Sequence, residues 1–199
     1  MTERPPRPYR MQRRAEAQGE TRARILRATI ALHDAQGVAA TTFADIAARA
    51  GVGAATVLRH FPDVGSLVAA CGEHVGAEMR PPRAEDAASV FAGLGSAEAR
   101  IGRLVAELGA FYARGAARLQ AARNDRHRIA ELDGFLRMVE AGIAAMIAEA
   151  LADERPDAGT VAVIAALTDF GVWARMRDAG TGAWERVMPA VIAVAGQRG

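Results

Sequence analysis

The 199-residue chain contains no lysine, a single cysteine and few aromatic residues (5%). One cysteine, Cys71, rules out an internal disulfide framework and fits a reducing compartment. The N-terminus lacks the apolar core of a secretory signal, so the expected location is the cytoplasm. The longest apolar stretches, 141–152 and 161–168, are too short to span a bilayer and are interrupted or bounded by acids, so no membrane partner is expected. β-Branched runs in period two are missing, which argues against a sheet. His33 and His127 have no serine, cysteine or paired carboxylate at a telling spacing, so the chain reads as a non-enzyme. The acids are scattered among arginines at i,i+4 spacing, the pattern of solvated helix faces rather than of an acid–base pair. Cys71, His74 and Glu78 share a prospective helix face, but no second Cys or His cluster completes a metal set, and neither metal nor cofactor is expected.

What is abundant is alanine, 47 residues, within a composition that is 51% hydrophobic and 24% charged. That is a soluble, globular, all-α composition. The length fits one medium domain, or a small one joined to a larger one. All 25 basic residues are arginine, as codon bias in a GC-rich genome would produce. The net charge of +2 hides an asymmetry: residues 1–60 hold ten Arg against five acids (+5), and the remainder fifteen against eighteen (−3). Positive charge at one end is either a fluctuation in an Arg-rich chain or the footprint of a polyanionic partner.

Residues 42–61 decide between those two. Thr42 is placed to cap a helix on which Phe43, Ile46, Ala47 and Ala50 share one face. Gly51 can end that helix in the left-handed conformation, and Val52 can plug the angle to the next. Val57 and Phe61 carry the apolar face onward, and the small Ala47 lets the second helix cross closely. Apolar positions alone would fit any helical hairpin. Small residue, glycine and buried valine at these offsets read as a DNA-binding helix-turn-helix.

The stretch from Arg24 to Cys71 resembles the DNA-binding domain of the TetR family of bacterial transcriptional repressors. The resemblance rests on Ile25-Leu26, Ala31-Leu32, Gly37, Thr41-Thr42-Phe43, Ile46-Ala47, Ala50-Gly51-Val52, Thr56-Val57, Arg59-His60-Phe61-Pro62 and Leu67. It implies an all-helical homodimer with a variable C-terminal domain that binds a small ligand. The chain departs from the family pattern at four positions. Gly53 stands where Ser or Thr commonly opens the recognition helix, and Ala55 where glycine precedes the threonine. Leu58 replaces a phosphate-binding Tyr, and Val64 a phosphate-binding Lys.

Along the chain, residues 1–18, with five Arg and three Pro, read as a disordered basic arm, either inert or tracking phosphates. Residues 19–62 form the predicted three-helix DNA-binding domain, with helices at 19–36, 43–50 and 54–60. Residues 63–199 form the predicted helical regulatory and dimerisation domain. Its first helix spans 63–79, is capped by Asp63 and stopped by Pro81-Pro82, and is the natural lever between the domains. Further helices are expected at about 84–94, 97–121, 125–152, 158–179 and 183–197, with Ser96 and Asp157 as caps and breaks at Pro156 and 180–182. The last two are apolar on more than one face, which fits either a thickly packed monomer or burial against a partner. The resemblance assigns them to a homodimer interface.

In the major groove, Ala54, Ala55 and Thr56 can offer methyl contacts to thymine, and Arg59 a bidentate contact to guanine. The resemblance adds His60 as a phosphate ligand. Thr42 is a further phosphate donor, and Arg22 and Arg24 are phosphate candidates at the start of the first helix. Phe111, Tyr112, Phe135, Met138, Met146, Phe170 and Trp173 are either core or the lining of a mainly apolar effector pocket, with Tyr112, Arg114 or His127 as polar anchors. The reading is a dimeric, ligand-released repressor of a palindromic double-stranded DNA operator. Its alternative is a helical ligand-binding or interaction protein of the same fold that has lost specific DNA recognition.

Overall fold

The computed structural model describes residues 7–180 and 182–196, with side chains from residue 11 onward. The fold is all-α, as expected. In chain order the helices are α1 (Arg7–Gln36), α2 (Phe43–Ala50), α3 (Ala54–His60), α4 (Val64–Met79), α5 (Ala87–Val90), α6 (Ala97–Asp125), α7 (Ala130–Ala150), α8 (Ala158–Leu167), α9 (Phe170–Asp178) and α10 (Val187–Ala195). They form two compact units. The first runs to His74 and takes in Ala121–Leu132; the second holds Val75–Gln120 and the chain from Asp133 onward.

The first unit is built by local chemistry that the residues announce. Thr42 and Asp45 make a reciprocal capping box at the start of α2. Gly51 (φ 63°) ends α2 in the left-handed region, its N–H on the Ala48 carbonyl while Val52 N–H reaches Ala47, the Schellman arrangement. Asp63 and Ser66 exchange side-chain and backbone bonds at the start of α4. Ile25, Ile46, Ala47, Ala50, Val57, Phe61 and Leu67 close one core, with Val52 packed against it.

Helix α1 corrects the expectation for residues 7–18. It begins at Arg7 rather than at residue 19, so those residues are helical and not a disordered arm. Arg, Met, Gln, Ala and Glu from residue 10 to 18 are strong helix formers. Pro8 falls in the first turn, where its missing N–H has no intrahelical acceptor. The rest of the expected arm, residues 1–6, lies outside the described residues.

Beyond α4 the helices differ from their apolar patterns, most of them being shorter. The expected 84–94 helix is a 3-10 turn, Ala84–Asp86, followed by the single turn of α5. The expected 125–152 helix starts at Ala130, because α6 continues to Asp125. The expected 158–179 helix breaks between α8 and α9, where Asp169 accepts from Gly171 N–H (2.6 Å) and caps α9. The expected 183–197 helix is a 3-10 turn, Trp184–Arg186, then α10, with Pro189 tolerated in its first turn. Ser96 and Asp157 do cap α6 and α8. Gly142 of α7 meets the loop after α4, where a Cβ would overlap the Pro82 carbonyl.

Candidate nucleic-acid interface

Short α3 is held from below by Val57, fully buried, and by Phe61 at its end. Its other residues are left for the surface: Ala54, Ala55, Leu58 and Arg59 are exposed, Thr56 and His60 half-buried. Gly53 caps it through its backbone alone, its carbonyl accepting from Thr56 N–H (2.8 Å).

Thr56, Arg59 and His60 open onto a groove of about 620 Å³ whose other wall is α1. Arg14, Ala17, Gln18, Thr21 and Arg24 line that wall. Three guanidiniums and no carboxylate line the groove, and Arg14, Arg24 and Arg59 make no ion pair among the described residues. Unneutralised guanidiniums converging on an open groove favour a polyanion.

The expected DNA-contacting residues therefore divide. Thr56, Arg59, His60 and Arg24 meet in the groove. Ala54 and Ala55 lie on the exposed surface of α3 beyond it. Arg22 turns to the Phe61 ring, its guanidinium 5.0 Å from the centroid, and helps hold the end of α3. Thr42 donates its hydroxyl proton to the Asp45 carboxylate (2.6 Å), so a phosphate would compete for it. That bond is the largest cause holding the Asp45 carboxyl below its ordinary value. Arg14 and Gln18 are not among the expected contacts because residues 1–18 read as an unstructured arm, and Thr21, though in the expected first helix, is not either; their spacing of four and then three residues is the available signal.

A second missed contact supports the loop before α2. One Asp125 carboxylate oxygen accepts from Val38 N–H (3.1 Å) and Ala39 N–H (2.9 Å) across 87 and 86 residues. Beside it, burial lowers the pKa of His33, and Asp34 and Asp125 partly oppose that shift. Cys71 is buried, and desolvation pushes its thiol up to about 12, so it is a core residue rather than a thiolate.

The expected effector residues do not share one pocket. Phe111, Tyr112, Phe170 and Trp173 form an aromatic cluster with Trp184, at most 5% exposed apart from Trp184 at 9%. Tyr112 donates its hydroxyl to the Thr168 carbonyl (2.8 Å) at the α8–α9 break, and Trp184 donates its ring N–H to Val105 (2.9 Å). Phe111 and Met146 also line a cavity of about 190 Å³ with Arg80 and Arg114. Trp173 borders a separate groove of about 600 Å³ with Gly102, Gly109 and Met188. Phe135 is half-buried, Met138 is 39% exposed, and His127 belongs to the first unit.

Residues 25–71 match the family model described as bacterial regulatory proteins, tetR family. Two solved structures share the fold across most of the chain. One is SCO7518 from Streptomyces coelicolor A3(2), proposed as a transcriptional regulator: 19% identity over 89% of this chain and 99% of that one, TM-score 0.59. The other is GusR of Salmonella enterica: 17% identity over 89% and 96%, TM-score 0.55. No curated protein matches the sequence. The capped α2, the left-handed glycine turn, the exposed short α3 and the match over residues 25–71 make that segment similar to the DNA-binding domain of tetR-family bacterial regulatory proteins, within a fold that the two solved structures share.

Proposed function

We propose that the protein is a cytoplasmic repressor that binds a palindromic operator as a homodimer and is released by a small effector. The observation that carries it is the convergence of Thr56, Arg59 and His60 of α3 with Arg24 on a basic groove. Arg59 reads a guanine by a bidentate contact, Thr56, Ala54 and Ala55 meet thymine methyls, and His60 and Thr42 hold phosphates. Residues 19–62 do the reading, and residues 63–199 carry regulation and pairing.

Pairing through the last helices is supported by what they leave uncovered. An 18-residue stretch within 158–178 has a mean hydropathy of 1.2, yet only 22% of that stretch is buried, and α8, packed on α10, keeps Val163 46% exposed. Asp169 and the break at Thr168 fit a water-facing pair of helices better than a membrane span. The effector site is assigned to the second unit, where the cavity floored by Phe111 and Met146 has Arg114 as its polar anchor. Helix α4 crosses from the first unit to the second and is the covalent lever. Effector binding shifts it so that two recognition helices no longer match major grooves about 34–36 Å apart.

Selection of bound duplexes from a random pool tests the reading, with an inverted repeat as the expected winner. Arg59→Ala is expected to cost about 1–3 kcal/mol on that repeat and to relax one position per half-site. The exposed Leu58 (46%) and Val64 (43%), where the family commonly has phosphate ligands, favour the second reading, a protein of this fold without operator specificity. Under it no sequence is enriched.

A further inference from the structure

Residues 11–20 of α1 are exposed on every face. A helix of this length gains little stability alone in water, and here no packed apolar face holds it. It lies ahead of residues 25–71, the part matched to the family. One of its faces, Arg14–Gln18–Thr21–Arg24, nevertheless forms a wall of the groove that Arg59 enters. From Arg14 to Arg24 the row is about 15 Å long, enough to meet more than one phosphate of a strand. The side chains are of the right kinds: two unpaired guanidiniums, an amide and a hydroxyl, with no acid among them. The hydroxyl of Thr21 is turned back onto the Ala17 carbonyl (2.8 Å), which leaves Arg14, Gln18 and Arg24 as the outward donors.

We infer that the stretch of α1 from Arg14 to Arg24 is a second DNA-binding surface, on which Arg14, Gln18 and Arg24 grip the sugar–phosphate backbone flanking the groove read by α3. This rests on the operator-binding reading and goes beyond it. The phosphate contacts absent at Leu58 and Val64 are supplied from the facing wall of the groove, by a helix rather than a loose arm. The contacts carry no base information, so they raise affinity on every sequence alike.

The test is binding of two duplexes of equal length across a salt titration: the inverted repeat won from the random pool, and a random-sequence duplex. Each of Arg14→Ala and Arg24→Ala is expected to lower the slope of log affinity against log salt by about 0.9 per bound protomer. That is a loss of salt sensitivity of about 3.5-fold between 50 and 200 mM, equal on the two duplexes. Arg137→Ala, in the second unit and paired with Asp133, is expected to leave the slope unchanged. Both target residues are exposed, and Arg14→Gln, with unchanged helical circular dichroism, repeats the test without loss of helix propensity. Unchanged slopes, with Arg59→Ala still erasing sequence preference, would overturn the α1 surface and leave operator reading intact. A loss confined to the inverted repeat would make these residues base readers and overturn the phosphate role. Failure of the unaltered protein to bind either duplex would overturn both readings.

Discussion

Helices α1–α3 bury Ile25, Ile46 and Val57 against one another and show arginine to solvent, with Met11 and Leu58 also exposed, whereas α8 and α10 are apolar on most faces and leave much of that surface uncovered. In the first unit Ile25, Ile46 and Val57 are 0–1% exposed, so this core is closed within one chain. In α8 only Ile164 is fully buried, although eight of its ten residues are Val, Ile, Leu or Ala. A surface closed on itself is free to specialise in charge. An uncovered apolar surface is what the proposed pairing with a second copy would cover, and that proposal separates reading from pairing along the chain.

Truncating equivalent branched residues in the two regions should break the symmetry most strongly. Ile46→Ala, in the closed core, is expected to cost about 2–5 kcal/mol of stability by leaving a cavity, checked by urea denaturation. Val163→Ala should change stability by less than about 0.5 kcal/mol, because the side chain is 46% exposed. Val163→Asp should instead weaken self-association by about 2 kcal/mol or more, roughly thirtyfold, at unchanged helicity. Sedimentation velocity over a concentration series reads that outcome. A variant that pairs as tightly as the parent would remove α8 from the interface.

The ends of α2, α3 and α4 were legible because residues within a few positions set them: Thr42 with Asp45, Gly51, Asp63 with Ser66, and the Pro81-Pro82 pair. The break at Thr168–Asp169 was not, since apolar periodicity runs through it. Asp169 was a cap in plain view, but the Thr168 carbonyl it frees is claimed by Tyr112, 56 residues away. The first half of α1 was not legible because three prolines at 5, 6 and 8 outweighed a helical composition that begins just after them. Within the groove, Thr56, Arg59, His60 and Arg24 were readable from the motif, while Arg14 and Gln18 depended on α1 being helical. The seven effector candidates shared only size and apolarity, which does not distinguish a core from a pocket lining.

The contact of Asp125 with the loop before α2 sharpens what holds the reading unit in shape. Asp125→Ala removes two charge-assisted hydrogen bonds to Val38 and Ala39 and is expected to cost about 1–2 kcal/mol, measured by urea denaturation. Asp125→Asn keeps a neutral acceptor and should recover part of the loss. An equal loss in both variants would place the effect in packing rather than in these bonds.

The smallest expected effect is a pH dependence in the same corner of the first unit. Burial lowers the pKa of His33 below its ordinary 6.5, against the opposing pull of Asp34 and Asp125. The unfolded chain therefore binds the proton more tightly than the folded one, and stability rises with pH through the window between the two values. Above pH 6.5 the contribution is present in full; as pH falls through 6.5 toward the folded value it is lost. Asp45 and Asp157 are held below the ordinary carboxylate range by hydrogen bonds, so their contributions disappear only at still lower pH. A urea midpoint that falls between pH 7.5 and 5.5 in the parent, and falls less in His33→Gln, assigns the dependence to this imidazole. Equal falls in the two proteins would move the titration elsewhere. The His33 site would then add nothing to the contrast between a first unit tuned by buried polar contacts and a second one whose apolar surface is left uncovered.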